Sequence, residues 1–361
     1  MATLNCYATR TKLLVHDLLK LSKYRLSALV SFTSAVGYVA RADPQQNPDL
    51  QQNHVYYRKL LSTTTGTWLA AACANTLNQI YEIRSDALMA RTRLRPLPSG
   101  RIAVAHAACF AAATGLSGIA LLAHETNRTT TALAAANVLL YSAVYTPLKA
   151  ISTVNTWVGA VVGALPPIHG WAAASDGALL GDRERGAWAL GSLLFLWQIP
   201  HFHALAVMSR ADYAAGGLKM LAVTNPHANA QWAKWTALAL LPIGGLFTIT
   251  GVTSAMYGWE SVLLGWWMYR GAVNMLAQPT SSTAARQLFR SSIWYLPMSM
   301  SLLMAHQVPY GFTVEQPTKH AANVRELRLQ QPWEIMAPFP FLPVPCGVPA
   351  VVLETHDQQL S

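Results

Sequence analysis

The sequence has little charge. Only 12% of its 361 residues are Asp, Glu, Lys or Arg, about half the share expected of a soluble domain, while 52% are hydrophobic and the mean hydropathy is +0.25. A soluble globule is excluded. Seven stretches contain none of the four charged types for twenty residues or more: 62–81, 102–123, 129–148, 150–175, 186–209, 235–259 and 291–314. Each is long enough to cross a bilayer core as a helix. Two weaker candidates are 26–40, flanked by Arg25 and Arg41 whose long side chains can reach the interface, and about 258–280, interrupted by Arg270. The prediction is an all-α membrane protein, a bundle of nine transmembrane helices in the lipid bilayer.

Cysteine is also scarce. Cys6, Cys73, Cys109 and Cys346 form no CxxC pair, and two of them fall inside predicted spans, so no disulfide framework or zinc site is implied. No secretory signal pattern is present. The first sixteen residues carry Arg10 and Lys12 and no acid before Asp17, as the end of a transit sequence would. Beyond Tyr310 prolines accumulate, at 317, 332, 338, 340, 343, 345 and 349, which predicts a tail without a packed core. The expected organisation is a juxtamembrane amphipathic segment over 1–22, a nine-helix domain over 23–308 and a Pro-rich tail over 309–361.

A net charge of +10 raises the question of nucleic acid, and its placement answers it: the positive residues sit in the loops of a membrane protein. With nine spans, the N-terminus and the loops after spans 2, 4, 6 and 8 share a side and carry sixteen Lys and Arg, against nine on the other. By the positive-inside rule the richer side faces the cytoplasm or the mitochondrial matrix.

The second span turns polar as it ends. Asn78, Glu82 and Asp86 recur every four residues, so they drift only about 80° around a helix and share one face. An amide and two carboxylates are the hard oxygen donors that Mg²⁺ accepts while keeping waters for a phosphate-bearing substrate. Arg91, Arg93, Arg95 and Arg101 follow within eleven residues, and guanidinium groups fork onto phosphate oxygens. The same acids could instead pair with Arg84 and Arg91 in an exposed turn, with the arginines acting only as topology signals.

Asn155, Gly159 and Gly163 form a stripe of small residues that predicts close helix packing, and Pro166 and Pro167 are expected to interrupt that span. In the sixth span, His201 and Asp212 are eleven residues apart, which returns to within about 20° on a continuous helix and predicts a shared pocket. His203 points elsewhere.

These residues resemble a known family, the UbiA-type intramembrane prenyltransferases. The resemblance is carried by Asn78 to Asp86 with Arg91, Arg93 and Arg95, by Tyr145 to Lys149, and by Asn155 through Pro166-Pro167 to Trp171. It continues in Trp197 to Phe202 and in Asp212-Tyr213 to Leu221, and covers roughly residues 20–308. Within the family the chain is similar to the mitochondrial, heme-modifying branch. Glu82 stands where the family usually has Asp, and Met208 where many relatives have the first aspartate of a second motif.

The resemblance implies an Mg²⁺-dependent transfer of farnesyl from farnesyl diphosphate to the vinyl group of heme B, giving heme O, in the mitochondrial inner membrane with the active-site loops facing the matrix. It implies Asn78, Glu82, Asp86 and Asp212 as metal and catalytic residues, and Arg91, Arg95, Lys149, Tyr145, Tyr213, His201 and Trp197 as substrate-binding residues. His201 is the first candidate to meet the porphyrin. Heme A synthase or cytochrome oxidase assembly factors are the protein partners implied, and no nucleic acid is. The rivals are prenylation of an aromatic quinone precursor on the same fold and a multi-spanning transporter. Trp197 to Phe202 and Met208 speak against the first. Acids and arginines gathered in loops on one face, without an internal repeat, speak against the second.

Overall fold

Helices satisfy their own backbone groups, which is what a lipid environment requires. The computed structural model describes residues 13–42 and 53–308, and among these the only extended pairing is one isolated bridge, Thr253 to Gln307. Helix α1 covers 13–21 and α2 Tyr24–Arg41; α3 is Asn53–Tyr81, α4 Ile83–Leu88, α5 Val104–Glu125 and α6 Arg128–Leu139. A π-helical turn, Leu140–Tyr145, leads into α7, Thr146–Ile151. Then come α8, Asn155–Ala174; α9, Arg185–Met208; α10, Arg210–Ala215; and α11, Leu221–Thr224. The series closes with α12, Pro226–Ala239; α13, Ile243–Ile249; α14, Ala255–Ala277; and α15, Ser282–Ala305. The expected tail, 309–361, and the first twelve residues lie outside the described part.

Among the described residues four helical segments are long and apolar enough to cross a membrane: Val104–Glu125, Arg128–Ile151, Arg185–Met208 and Pro226–Ile249. Helix boundaries follow caps more closely than charge-free runs. The side chain of Asn225 accepts from Ala228 N at 3.0 Å and starts α12 nine residues before the run 235–259; that run then spans a turn at Gly251, whose φ of 73° suits glycine. Ser281 likewise caps α15 through Ala284 N at 3.3 Å, ahead of the run 291–314. Absence of charge marks a stretch that lipid tolerates, and a turn can lie inside it.

Helix α9 is the hub, packing against α8, α12, α13 and α15, while α2 packs on α3 and α8, and α3 on α5. The α2–α8 crossing is reciprocal. A Cβ on Gly37 would lie 2.0 Å from the carbonyl oxygen of Pro167, and one on Gly170 would lie 1.9 Å from that of Ser34. Each glycine therefore admits the other helix's backbone. Pro166 and Pro167 do not interrupt α8, which runs through both; α2 closes over them at this crossing. The predicted stripe also has a different use. Gly159 makes room for the ring of Tyr145 and Gly163 for the amide of Gln198, so these glycines seat side chains. At the C-terminal end of α2, one turn past Gly37, Arg41 binds Glu184 through Nε and Nη2 at 3.0–3.3 Å, and Trp171 Nε1 donates to the same carboxylate at 2.6 Å.

Candidate active site

The joint between α3 and α4 keeps helical register. Glu82 N donates to Asn78 O at 3.0 Å and Asp86 N to Glu82 O at 2.7 Å, although Glu82 itself sits at φ −88°, ψ 9° between the two helices. The four-residue spacing therefore survives the break. Both carboxylates are buried, Asp86 completely, and neither pairs with Arg84 or Arg91. Asp86 Oδ2 accepts from Arg95 Nη1 at 2.7 Å, and Glu82 Oε1 from Lys149 Nζ at 2.8 Å. Lys149 also lies 4.5 Å from the centre of the Tyr145 ring, within cation–π range. The π-helical turn places Tyr141 and Tyr145 side by side, with ring centres 5.3 Å apart.

Three loops meet here. Asp212 Oδ1 accepts from Ala90 N at 3.0 Å, which joins the first turn of α10 to the loop after α4. Lys219 N donates to Lys149 O at 2.7 Å, and Asn155 Nδ2 to Lys219 O at 3.0 Å. Arg91 and Arg93 are exposed and have no ion-pair partner among the described residues. Arg101 is engaged elsewhere, anchoring α1 through Asp17 at 3.1 Å. Tyr213 is buried next to this cluster, and burial raises its phenol above the usual value.

Lys23 is the residue that sequence reading missed. It occupies a left-handed conformation, φ 45°, just before α2, and its Nζ donates to Asn78 Oδ1 at 2.8 Å and to Tyr141 OH at 3.5 Å. Burial, reinforced by Lys149 and Arg95, lowers its amine to about 7. A lysine three residues before an apolar run reads as a topology charge; only the folded chain reveals that it turns inward. Asn78 completes its bonding by donating to Thr146 Oγ1 at 3.1 Å.

Among the described residues no three His, Cys, Asp or Glu side chains form a metal-binding group by themselves. The donor set nonetheless fits a hard cation that brings its own waters and phosphate oxygens, because Asp86 Oδ1 is buried with no hydrogen-bond partner. That oxygen accepts no hydrogen bond, while Oδ2 of the same carboxylate holds Arg95.

His201 and Asp212 engage different elements. Helix α9 ends at Met208 and the chain turns at Ser209 before α10 begins, with the four-residue backbone bonding carried across by Ser209 N to Leu205 O and Tyr213 N to Ser209 O, both at 3.0 Å; Asp212 is bound to the loop after α4, whereas His201 faces α15. The imidazole is stacked between Trp197 and Phe289, with ring centres 4.9 and 4.8 Å away, and its Nδ1 lies 2.8 Å from Ser292 Oγ on α15. Trp197 Nε1 donates to Ser292 O at 2.8 Å. These two predicted substrate residues thus belong to an α9–α15 face. His203 is buried at the α12 contact, and both its ring nitrogens lack partners.

An apolar pocket opens beside the polar cluster. Asn75 and Tyr141, themselves joined at 3.2 Å, stand at its polar end; Ala70, Ala71, Ala74, Ala134, Val138 and Val162 form its wall, and Thr67 and His169 lie at the other end.

Comparison with known proteins places this geometry. Residues 30–293 match the UbiA prenyltransferase family. A mitochondrial protoheme IX farnesyltransferase of Arabidopsis thaliana is 41% identical over 341 residues, 90% of this chain and 76% of the relative; the one of Homo sapiens is 37% identical over 311 residues, 83% and 65%. Among solved structures, a digeranylgeranylglyceryl phosphate synthase superposes with a TM-score of 0.65 at 15% identity, covering 81% of this chain and 98% of that one. A UbiA homologue from Archaeoglobus fulgidus bound to GPP and Mg²⁺ gives 0.53 at 14% identity, covering 80% and 99%. The chain belongs to the UbiA prenyltransferase family. Within that family its strong likeness is to the mitochondrial protoheme IX farnesyltransferases.

Proposed function

We propose that this chain is a protoheme IX farnesyltransferase: it transfers farnesyl from farnesyl diphosphate to a vinyl group of heme B and so makes heme O. The observation that carries the reading is the meeting of Asp86, Glu82, Asp212, Arg95, Lys149 and Lys23 at the polar end of an apolar pocket. A diphosphate belongs at the first, an isoprenoid tail in the second. The aromatic-acid rival is disfavoured by the likeness to heme-modifying relatives.

In this reading Asp86, through its unpaired Oδ1, Glu82 and Asn78 would hold Mg²⁺, Asn78 exchanging the Lys23 bond on its Oδ1 for the ion, and Asp212 would hold a second ion or orient the phosphates. The metal, when bound, neutralises phosphate charge and lets the diphosphate leave with the bonding electron pair. Arg91, Arg93 and Arg95 take phosphate oxygens, and Lys149 and Lys23 add positive charge at the buried edge, where low dielectric makes it count. The faces of Tyr141 and Tyr145 stabilise the allylic cation, as the Tyr145 ring already does for the Lys149 ammonium. The vinyl π electrons form the new carbon–carbon bond, water adds to the remaining cationic carbon, and one proton is released. The alanine-lined wall keeps water from the farnesyl cation before that bond forms. His201 and Trp197 orient the porphyrin from the α9–α15 face.

The proposed setting is the mitochondrial inner membrane, crossed nine times, with the active-site loops in the matrix. Helices α2, α3, α8, α14 and α15, 18–29 residues long, would supply the five crossings beyond the four apolar ones. Heme A synthase or oxidase assembly factors would receive the product. The test is chemical: protein in lipid nanodiscs with farnesyl diphosphate, heme B and Mg²⁺ forms heme O, and omission of any one abolishes it. Diphosphate release without any heme product would refute the reading.

A further inference from the structure

Where α1 gives way to α2 the chain turns at Lys23, and the turn is firmly held. Gln79 Nε2 donates to the carbonyls of Lys20 at 3.1 Å and Leu21 at 2.8 Å, Ser27 Oγ donates to Ser22 O at 2.7 Å, and Leu21 is fully buried. A groove opens at this elbow. Lys20, Lys23, Tyr24 and Arg25, with His16, Leu19 and Leu26, line it. Lys23 is turned inward to Asn78, whereas Lys20 and Arg25 are exposed and have no ion-pair partner among the described residues. Arg25 Nε donates to Tyr24 OH at 2.9 Å, which leaves its other nitrogens open. Asp17 is the only acid in residues 13–42 and is already engaged: Arg101 Nε binds it at 3.1 Å, and His16 Nδ1 lies 3.9 Å away. The cations of the groove are therefore uncompensated.

What continues from them along α2 is apolar. Arg25, Leu29 and Phe32 fall at i, i+4 and i+7, on one stripe of the helix, and Leu29 and Phe32 are 62% and 54% exposed. From Arg25 to Phe32 the helix advances about 10 Å at 1.5 Å per residue, most of the roughly 15 Å of hydrocarbon in one leaflet. Beside the stripe a shallow furrow between α2 and α3 is lined by Ala28, Ser31, Thr64, Thr65 and Trp68. On α1, Leu13, Leu14 and Val15 are exposed, as in a helix that rests in the membrane interface.

We propose that this groove binds an anionic phospholipid of the leaflet on the active-site side, with its phosphate between Lys20 and Arg25 and an acyl chain along Leu29 and Phe32. Charge and shape together select that occupant. A zwitterionic headgroup brings an ammonium that Lys20 and Arg25 repel, and a free phosphate makes no use of the apolar stripe. Tyr24 stands at the level where amphipathic rings accumulate beside headgroups. Leu26 also borders the apolar pocket of the active site, so the experiment includes the prenyl substrate as a competitor.

The probe is phosphatidylglycerol carrying a diazirine at mid-chain, photolysed with the full chain in phosphatidylcholine nanodiscs and located by peptide mass spectrometry. It should label the peptide that contains Leu29 and Phe32 about tenfold more heavily than phosphatidylcholine with the same diazirine, because two cations act on one phosphate. Equal labelling overturns the proposal. Lys20→Gln combined with Arg25→Gln should abolish the preference, whereas Lys20→Arg combined with Arg25→Lys and the distant Lys234→Gln should keep it. A preference that survives the neutral pair also overturns it, and the wild-type comparison stands even if that pair melts early. Excess inorganic phosphate should leave the labelling intact, and so should farnesyl thiolodiphosphate at a concentration that stops turnover. Displacement by the first would reduce the groove to a phosphate site, and displacement by the second would make it the entrance for substrate; either result contradicts a phospholipid site.

Discussion

Asp212 Oδ1 accepts a hydrogen bond from the backbone N–H of Ala90 at 3.0 Å, across 122 residues of chain. Ala90 lies four residues beyond Asp86, just past the end of α4, so this bond holds the second acidic position against the loop that follows the first. Met89 packs under Gly216 in the same junction, where a Cβ would come within 3.1 Å of its side chain. The two motifs are therefore coupled through backbone, without any direct pairing of their carboxylates.

Asp86→Asn keeps volume and a hydrogen bond to Arg95 while removing the charge that the free oxygen would offer a cation. Turnover should fall on the order of 100-fold or more, and raising Mg²⁺ should restore only part of it. Heme B affinity, read by titration of its absorption band, should stay near the wild-type value. Near-normal turnover at limiting Mg²⁺ would remove Asp86 from the metal site.

Lys149 and Glu82 form an ion pair at 2.8 Å whose side chains are 11% and 9% exposed. Lys149→Met should cost about 3–5 kcal/mol because it strands a buried carboxylate. The double variant Lys149→Met, Glu82→Gln should recover most of the apparent Tm, measured in detergent, and remain inactive. Recovery of activity together with stability would make the pair purely structural.

How much of this was legible in the sequence differs from residue to residue. The polar face of Asn78, Glu82 and Asp86 was readable because local backbone bonds preserve the four-residue period through the joint at Glu82. Which cation each acid pairs with was not, because Arg95 and Lys149 arrive by a turn and by another helix. Lys23 was hidden for the same reason, and the π-helical turn under Tyr141 and Tyr145 has no periodic signature. That His201 and Asp212 have separate partners was not readable from their spacing, because Ser292 of α15 and the Ala90 N–H beyond α4 are brought to them by other elements.

His201→Ala should impair the heme half of the reaction alone. Its stack with Trp197 and Phe289 and its bond to Ser292 place it on the α9–α15 face, apart from the acids. The expected outcome is weaker heme B binding with an altered absorption spectrum and an unchanged farnesyl diphosphate affinity. An unchanged spectrum and affinity in folded protein would leave the histidine with a packing role.

Gly37→Ala tests the α2–α8 crossing. Its Cβ would fall 2.0 Å from Pro167 O, a backbone atom that cannot rotate away, so the helices must separate. Overpacking of this kind costs about 1–3 kcal/mol or more, and the apparent Tm should drop with loss of the monodisperse peak in detergent. A wild-type melting profile would mean that the helices meet less closely.

The account stands on its choice of acceptor, and a competition measures that choice. One preparation in nanodiscs receives radiolabelled farnesyl diphosphate and Mg²⁺ with heme B and an aromatic acid such as 4-hydroxybenzoate at equal concentration, and the products are separated chromatographically. The account predicts label in heme O alone, at a rate that the aromatic acid does not reduce. Label in the prenylated aromatic acid, with heme B left unchanged, would contradict it.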